Sequence, residues 1–467
     1  VYGYNACSSR HQLLYASDGR LLFPCAAAVV VYDAETHEQS FLRAPDARLD
    51  VLCIALHPDG DLLALGCAGE EACVGVWSIA TGRLRTELRG VHGRGVAALA
   101  FDATGEMVLS CGLEDEPMVA LHEWARGQQV AVAHGAARAF VAAGGAATGA
   151  LVTGGVGHLT FWTVAGAQLS PVEADYGAWS PPDTAAPTTT ALAFHPDGGL
   201  LSGSAQGCFY RWQAGGMRCL WCCPNAHGGP LHDIVFTGTL LATGGADGRV
   251  AVWSPSDMRR VESIDLRCVA AGALDGSGRP AGGQPGRSSV VRSLCCDAAG
   301  TRLLVGTSGG EAWEVDVSGP GCWRSGAQLL FAAHGPGLRA HGGAPPAQPR
   351  ACGLAAHPSE LAFATVGEDA SLRLWDCVDR ACTLRRPLPA PGTACAYLPQ
   401  EGRTLAVGLA DGRLLVLDAT SGAQLAAAHH RDAPLCVLAF SPDGRWLAAG
   451  CDDGSIDLCV PACARAR

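Results

Sequence analysis

Residues Leu231–Trp253 read LHDIVFTGTLLATGGADGRVAVW. Short apolar stretches alternate with turns rich in Gly, Thr and Asp, and the last stretch ends in Trp. Runs this short, bounded by turn residues, predict β-strands rather than helices. The same order recurs at Val51–Trp77, Thr189–Trp212, Ala351–Trp375 and Leu435–Cys459: a strand, a turn, a strand ending in small residues, a turn, a third strand. Several first turns follow one plan, as in His57-Pro58-Asp59-Gly60, His195-Pro196-Asp197-Gly198 and Ser441-Pro442-Asp443-Gly444. Pro presets φ at the first corner, Asp bonds its own backbone, and Gly takes the left-handed position.

Aligning the units puts Tyr32, Trp77, His122, Trp162, Trp212, Trp253, Val315, Trp375, Leu417 and Cys459 in one slot, with gaps of 45, 45, 40, 50, 41, 62, 60, 42 and 42 residues. A period near 40–45 with four short strands per unit predicts WD-repeat β-propellers, an all-β fold. The two long gaps hold Ala270–Ser289 and Gly335–Pro349, rich in Gly, Pro and Ala, which read as insertions between strands.

Two units carry residues resembling the WD-repeat hydrogen-bond tetrad: His227, Thr243, Asp247 and Trp253, then His334, Thr365, Asp369 and Trp375. In both, Asp lies six residues before Trp and Thr four before Asp. The expected chain of bonds runs from indole to hydroxyl to imidazole to carboxylate, satisfying each polar group inside an apolar blade. Such residues are expected to be structural, because a set repeated along the chain suits packing better than a single reactive centre.

Composition narrows the function. Of 467 residues, 48% are hydrophobic and 16% charged, which excludes a mainly disordered chain. All 33 basic residues are arginine, so chemistries that need a phosphate-binding or Schiff-base lysine are excluded. With 44 acidic residues the net charge is −11, which gives no support for nucleic acid or an anionic membrane as partner. The 22 cysteines are scattered through apolar runs and read as reduced core residues of a cytosolic protein. The longest strongly apolar run, Cys25–Tyr32, falls far short of the roughly 20 residues needed to span a bilayer.

Three short stretches imitate chemical motifs. Gly306-Thr307-Ser308-Gly309-Gly310 matches G-x-S-x-G, but that motif needs a following helix and Glu311–Val317 reads as a strand. His430-Arg431-Asp432 imitates a kinase catalytic loop without the asparagine or any lysine. Cys219-Leu220-Trp221-Cys222 has the spacing of half a zinc site, and no second half follows. No catalytic residue, cofactor or metal is therefore expected. Arg83, Arg85, Arg89 and Arg94 form the densest basic cluster and are the candidate partner-binding residues, with a solvated loop as the plainer reading.

The N-terminal stretch is more specific. Val1-Tyr2-Gly3-Tyr4, Leu13-Leu14-Tyr15, Asp18-Gly19, Phe23-Pro24 and Val29-Val30-Val31-Tyr32 resemble the hydrophobic motif of the echinoderm microtubule-associated protein-like family. The likeness continues through Gly112-Leu113, His122-Glu123-Trp124, His158-Leu159-Thr160-Phe161-Trp162, Ile264-Asp265-Leu266-Arg267 and Gly367-Glu368-Asp369.

The resemblance implies tandem atypical propellers. The motif (1–48) plus six repeats would form a seven-bladed first propeller over 1–333. Three further repeats over 334–467 would begin a second, incomplete in this chain, and since three blades cannot close a ring a fragment of a longer protein is expected. It also implies a non-catalytic protein of the cytoplasmic cytoskeleton that binds tubulin and microtubules through its propeller surfaces. Other cytoskeletal or axonemal proteins in a cilium are further expected partners. The rival is a WD-repeat scaffold in signalling or ubiquitin transfer that never touches tubulin.

Overall fold

The computed structural model describes residues 11–46, 49–135, 137–145, 150–179, 186–237, 240–266, 290–319, 327–332, 334, 351–429 and 432–460. Their regular structure is almost wholly antiparallel β-sheet, built as sequential meanders. The chain divides into two compact units, one reaching Leu330 and the other running from Phe331.

Seven four-stranded blades, at 14–43, 51–88, 96–134, 139–173, 189–223, 231–265 and 291–332, make up the first unit, the last strand ending two residues past its boundary. The outer strands of blades 3 and 4 also share one parallel pairing, Val132 with Gln168. Inner strands of neighbouring blades pack side by side from Val51–Leu56 through Val96–Phe101, Ala139–Gly144, Thr189–Phe194 and Leu231–Thr237 to Val291–Cys296. Blade 1 fills the remaining place. Its strand Leu21–Cys25 meets blade 2, and Leu14–Tyr15 meets the inner strand of blade 7. The ring is a closed, seven-bladed β-propeller.

Closure is made by polar bonds around buried Leu13 and Leu14. The Leu13 N–H donates to Ser293 Oγ at 3.0 Å, and Tyr15 Oη–H donates to Glu314 Oε2 at 2.5 Å. His11 Nδ1 lies 3.0 Å from Asp233 Oδ2, the carboxylate that also accepts the Leu294 N–H at 2.7 Å. Leu14, Leu22, Val29 and Val31 enter the same apolar cluster as Leu63 and Leu65 of blade 2. Residues 14–43 therefore serve as a blade of the ring.

Strand registers explain the repeat slot. Tyr32, Trp77, His122, Trp162, Trp253, Val315, Trp375, Leu417 and Cys459 each pair with an apolar residue of the preceding strand: Leu21, Leu63, Val108, Leu151, Leu241, Leu303, Phe363, Leu405 and Leu447. Two residues beyond each of those partners stands the residue able to face an indole N–H. It is Thr153, Thr243 or Thr365 where the slot holds Trp162, Trp253 or Trp375, and each hydroxyl accepts the indole at 2.8 Å. Where the slot holds Val315 or Leu417, the facing residue is Val305 or Val407. Donor and acceptor are present or absent as a set, as burial of polar groups requires. Blade 2 breaks the rule. Trp77 faces Leu65, and its Nε1 is buried with no hydrogen-bond partner among the described residues.

Bulges recur as well. On outer strands the register skips one residue opposite the slot, namely Arg85, Leu220, Val261, Thr383 and Leu425. A bulge bends the strand and re-aims a side chain. Here each skipped residue is exposed on the rim. A bulged, solvent-facing outermost strand is a poor template for pairing with another sheet.

Adjacent blades are bolted by the histidine that opens the first turn. His57 of blade 2 donates from Nε2 to the Gly105 carbonyl of blade 3 at 2.9 Å, while its Nδ1 accepts the Asp59 N–H at 3.1 Å. The ring lies edge-on to Phe101, centroids 4.9 Å apart. Gly105 has φ +76°, and a Cβ there would overlap the imidazole. His195 repeats the device against Phe236 and the Pro255 carbonyl, and His357 repeats it against Tyr397 over Gly402.

The second unit holds two four-stranded sheets, 351–387 and 392–429, and a three-stranded sheet, 435–459. Their inner strands pack in succession, with Val366, Leu405, Val407 and Leu417 buried between the first two sheets. Leu354 on the first sheet and Val437, Ile456 and Leu458 on the third are exposed.

Candidate interaction surface

The tetrads come together with full polar satisfaction along their chain. His227 Nδ1 lies 3.0 Å from Asp247 Oδ1, and its Nε2 lies 2.9 Å from Thr243 Oγ1. Asp247 Oδ2 also accepts the Gly228 N–H at 3.0 Å. Burial alone would raise the Asp247 pKa, but the hydrogen bond from His227 and backbone N–H groups outweigh it and lower it to about 2.

In the second unit His334 Nδ1 lies 3.0 Å from Asp369 Oδ1, and its Nε2 lies 2.7 Å from Thr365 Oγ1. The fully buried Arg373 donates to Asp369 Oδ2 at 3.0 Å. Burial again works against the charge of Asp369. His334 and Arg373 prevail, and its pKa falls to about 2. His227, Thr243 and Trp253 of the first network and His334, Thr365 and Trp375 of the second are buried, while Asp247 keeps partial exposure.

Blade 3 shows a reduced version. His92 Nε2 lies 2.8 Å from Ser110 Oγ, and His122 occupies the slot. Burial, with the nearby His92, lowers the His122 pKa to about 4, so the imidazole stays neutral near neutral pH. Among the described residues no three His, Cys, Asp or Glu side chains converge as metal ligands.

The remaining chemical motifs take ordinary places. Ser308 lies in the turn between strands Arg302–Thr307 and Glu311–Asp316, with strand on both sides and no nucleophile-bearing helix. Cys219 donates to the Trp221 carbonyl at 3.3 Å, and Cys222 packs with Cys219 and Cys208 in one apolar cluster. Sequence spacing missed Cys208, although strand alternation puts it on the face of Tyr210, which pairs with Cys222. His430 and Arg431 lie outside the described residues, as do Val1, Tyr2, Gly3 and Tyr4 of the hydrophobic motif.

The arginine cluster is not confined to a loop. Arg83 and Arg85 stand on the outer strand of blade 2, Arg83–Leu88, and Arg85 is the bulge residue. Arg89 follows the strand and pairs with Glu87 at 2.6 Å, and Arg94 pairs with Asp115 at 3.2 Å, both ions exposed. Among the described residues Arg83 and Arg85 have no carboxylate partner. They leave two exposed guanidinium groups on the rim, able to fork onto carboxylates of a partner. Two of the four candidates are thus available and two are already engaged. Among the described residues no helix is long and apolar enough to cross a membrane.

Comparison with known proteins places this architecture. Residues 48–315 match the family model of the echinoderm microtubule-associated protein first beta-propeller, and 352–464 match the model of the second. Human echinoderm microtubule-associated protein-like 2 is 26% identical over 98% of this chain and 66% of its own length. The 77 kDa echinoderm microtubule-associated protein of Lytechinus variegatus is 25% identical over 98% of this chain and 64% of its own. Mouse echinoderm microtubule-associated protein-like 3 is 26% identical over 98% of this chain and 50% of its own. The chain spans less than two thirds of the length of each of these relatives. With both family models matched in order, the first over more than half of the chain, it belongs to the echinoderm microtubule-associated protein family.

Proposed function

We propose that this chain is a non-catalytic microtubule-associated protein that binds tubulin through its propeller surfaces within the cytoplasmic cytoskeleton. The observation that carries the reading is the match of both units, in order, to propellers of a family named for association with microtubules. A rigid ring with its polar networks spent internally offers surfaces rather than reactive groups. The net charge of −11 opposes loose attraction to tubulin's acidic tails, so affinity rests on shape complementarity and a few anchors. Arg83 and Arg85 are the anchors we assign. The heavy use of Ala, Gly and Arg without lysine fits a GC-rich genome, and an axonemal place in a cilium is the finer proposal.

Co-sedimentation of the purified chain with stabilised microtubules over a salt series tests this. The chain pellets with polymer, and Arg83→Glu/Arg85→Glu weakens pelleting and flattens its salt dependence. A chain that stays in the supernatant at every salt concentration overturns the reading in favour of a scaffold with other partners. Unchanged pelleting of the double variant removes the two arginines alone.

A further inference from the structure

Among blades 1 to 6 of the first unit, every outermost strand but one is blunted against pairing. Those of blades 2, 3, 5 and 6 each skip a residue in register. Blade 4 carries Pro171, which has no N–H to offer, and its edge is already paired at Gln168 with Val132 of blade 3. Blade 5 is covered besides: the Asp175 N–H donates to the Met217 carbonyl and the Cys219 N–H to the Asp175 carbonyl, both at 2.8 Å. Blade 1 has none of these devices. Its outermost strand Gln39–Arg43 runs against Ala28–Tyr32 without a register shift, and among the described residues no further strand pairs with it.

Hydrogen-bond parity decides what this edge presents. The Asp33 N–H donates to the Glu38 carbonyl at 3.0 Å, and the Ala44 N–H donates to the Ala27 carbonyl at 2.7 Å. Antiparallel pairs alternate, so Ser40 and Leu42 also turn their backbone groups inward, and Phe41 and Arg43 turn theirs outward. The side chains of Phe41 and Arg43 share one face of the strand and are exposed, Phe41 at 44%. Leu42, between them, is buried in the cluster that blade 1 shares with blade 2. Among the described residues Arg43 has no carboxylate partner.

We propose that this edge of blade 1 is a docking site for an extended acidic segment of a partner protein, which adds to the sheet as a fifth strand antiparallel to Gln39–Arg43. The segment's backbone bonds to the outward groups of Phe41 and Arg43. An apolar residue covers the Phe41 ring, and a carboxylate two residues away pairs with the Arg43 guanidinium. Strand addition takes affinity from the main chain and specificity from alternate side chains, so the occupant is defined by an apolar–x–acidic pattern. Arg43 is the charged residue of the face that Gln39, Phe41 and Arg43 share, and it selects an acidic occupant over a basic one. The site lies on a different blade from Arg83 and Arg85 and stands whether or not the chain meets tubulin.

The test uses the whole chain and a fluorescein-labelled peptide, Thr-Glu-Thr-Ile-Thr-Glu-Thr, read by fluorescence anisotropy. The peptide binds saturably. N-methylation of its Glu and Ile amides, which meet Phe41 and Arg43 in an antiparallel pairing, abolishes binding, whereas N-methylation of its Thr amides leaves it. Arg43→Glu weakens binding about tenfold or more, and a peptide with lysine in place of glutamate restores it. Phe41→Ala weakens binding as well. Thermal unfolding of both variants shows whether the fold is intact. A parent peptide that does not bind saturably, equal binding by the two N-methylated peptides, loss confined to the Thr set, or a folded Arg43→Glu chain that binds the parent peptide like wild type overturns the proposal.

Discussion

The Nε2–H of His57 and the indole N–H of Trp124 converge on one acceptor, the Gly105 carbonyl, at 2.9 and 2.7 Å. One donor comes from blade 2 and the other from blade 3, so the turn of blade 3 is held from both sides. Removing either donor alone leaves the carbonyl bonded. His57→Ala or Trp124→Phe should each lower stability by about 1–2 kcal/mol through a lost bond and ring contact. The double variant should lose more than the sum, because the carbonyl is then orphaned. Denaturant midpoints arranged as a double-mutant cycle read the difference.

Two tryptophans in the same slot should respond differently to loss of the indole N–H. Trp253 donates to Thr243 Oγ1 at 2.8 Å, whereas Trp77 Nε1 has no hydrogen-bond partner among the described residues. Phe at position 253 leaves the Thr243 and His227 network short of a donor and should cost about 1–2 kcal/mol more than Phe at position 77. Equal losses in thermal or chemical unfolding would contradict the assignment of blade 2 as a blade that lost its hydroxyl and kept its indole.

Acid should weaken the two tetrads in the same direction and to a similar extent, whereas removing the carboxylate should not cost the same in both. Asp247 and Asp369 have pKa values of about 2 in the fold against an ordinary 3.8. Each contributes stability that is complete above 3.8 and is lost as pH falls through about 2. Asn at either position should flatten the acid limb of a stability–pH curve. At neutral pH Asp369→Asn should cost about 3–5 kcal/mol, since it strands the buried Arg373 guanidinium. Asp247→Asn has no such consequence and should cost less.

Ring closure should respond to pH with the opposite sign. Burial lowers the His11 pKa, but the charge and hydrogen bond of Asp233 outweigh it, so the value in the fold is raised above 6.5. The stabilisation is complete below 6.5 and is lost as pH rises through the raised value. His11 is 47% exposed, so solvent screening keeps the effect small. Hydrogen exchange at Leu294, whose amide binds the same carboxylate, should quicken on passing from mildly acidic to alkaline buffer beyond the intrinsic rate change. His11→Ala should remove that extra dependence.

Much of this was legible in the sequence because the repeat fixes a slot. The registers put Val315, Leu417 and Cys459 where Trp stands elsewhere, and the resemblance of His227, Thr243, Asp247 and Trp253 to the WD-repeat tetrad implies the bonds that the structure shows. Less legible were features that need two blades at once. His57 reads as a turn residue until Gly105, in the next unit, is placed against it. Cys208 and Cys222 enter one apolar cluster from two strands of a hairpin whose bulge hides the spacing. The arginines read as a connecting loop because Arg83, Leu84 and Arg85 carry no alternation, all three being exposed on an outermost strand.

Leu13 finds its hydrogen-bond partner Ser293 only 280 residues later. At roughly 5–20 residues per second, a ribosome needs from about a quarter of a minute to about a minute to deliver that partner. Throughout that interval six blades of nascent chain must wait with the Leu13 amide and the Tyr15 hydroxyl still without their partners. Synthesis of this propeller thus contains an obligatory vulnerable period, and a cell making it in quantity must shield one unpaired edge until the last blade emerges.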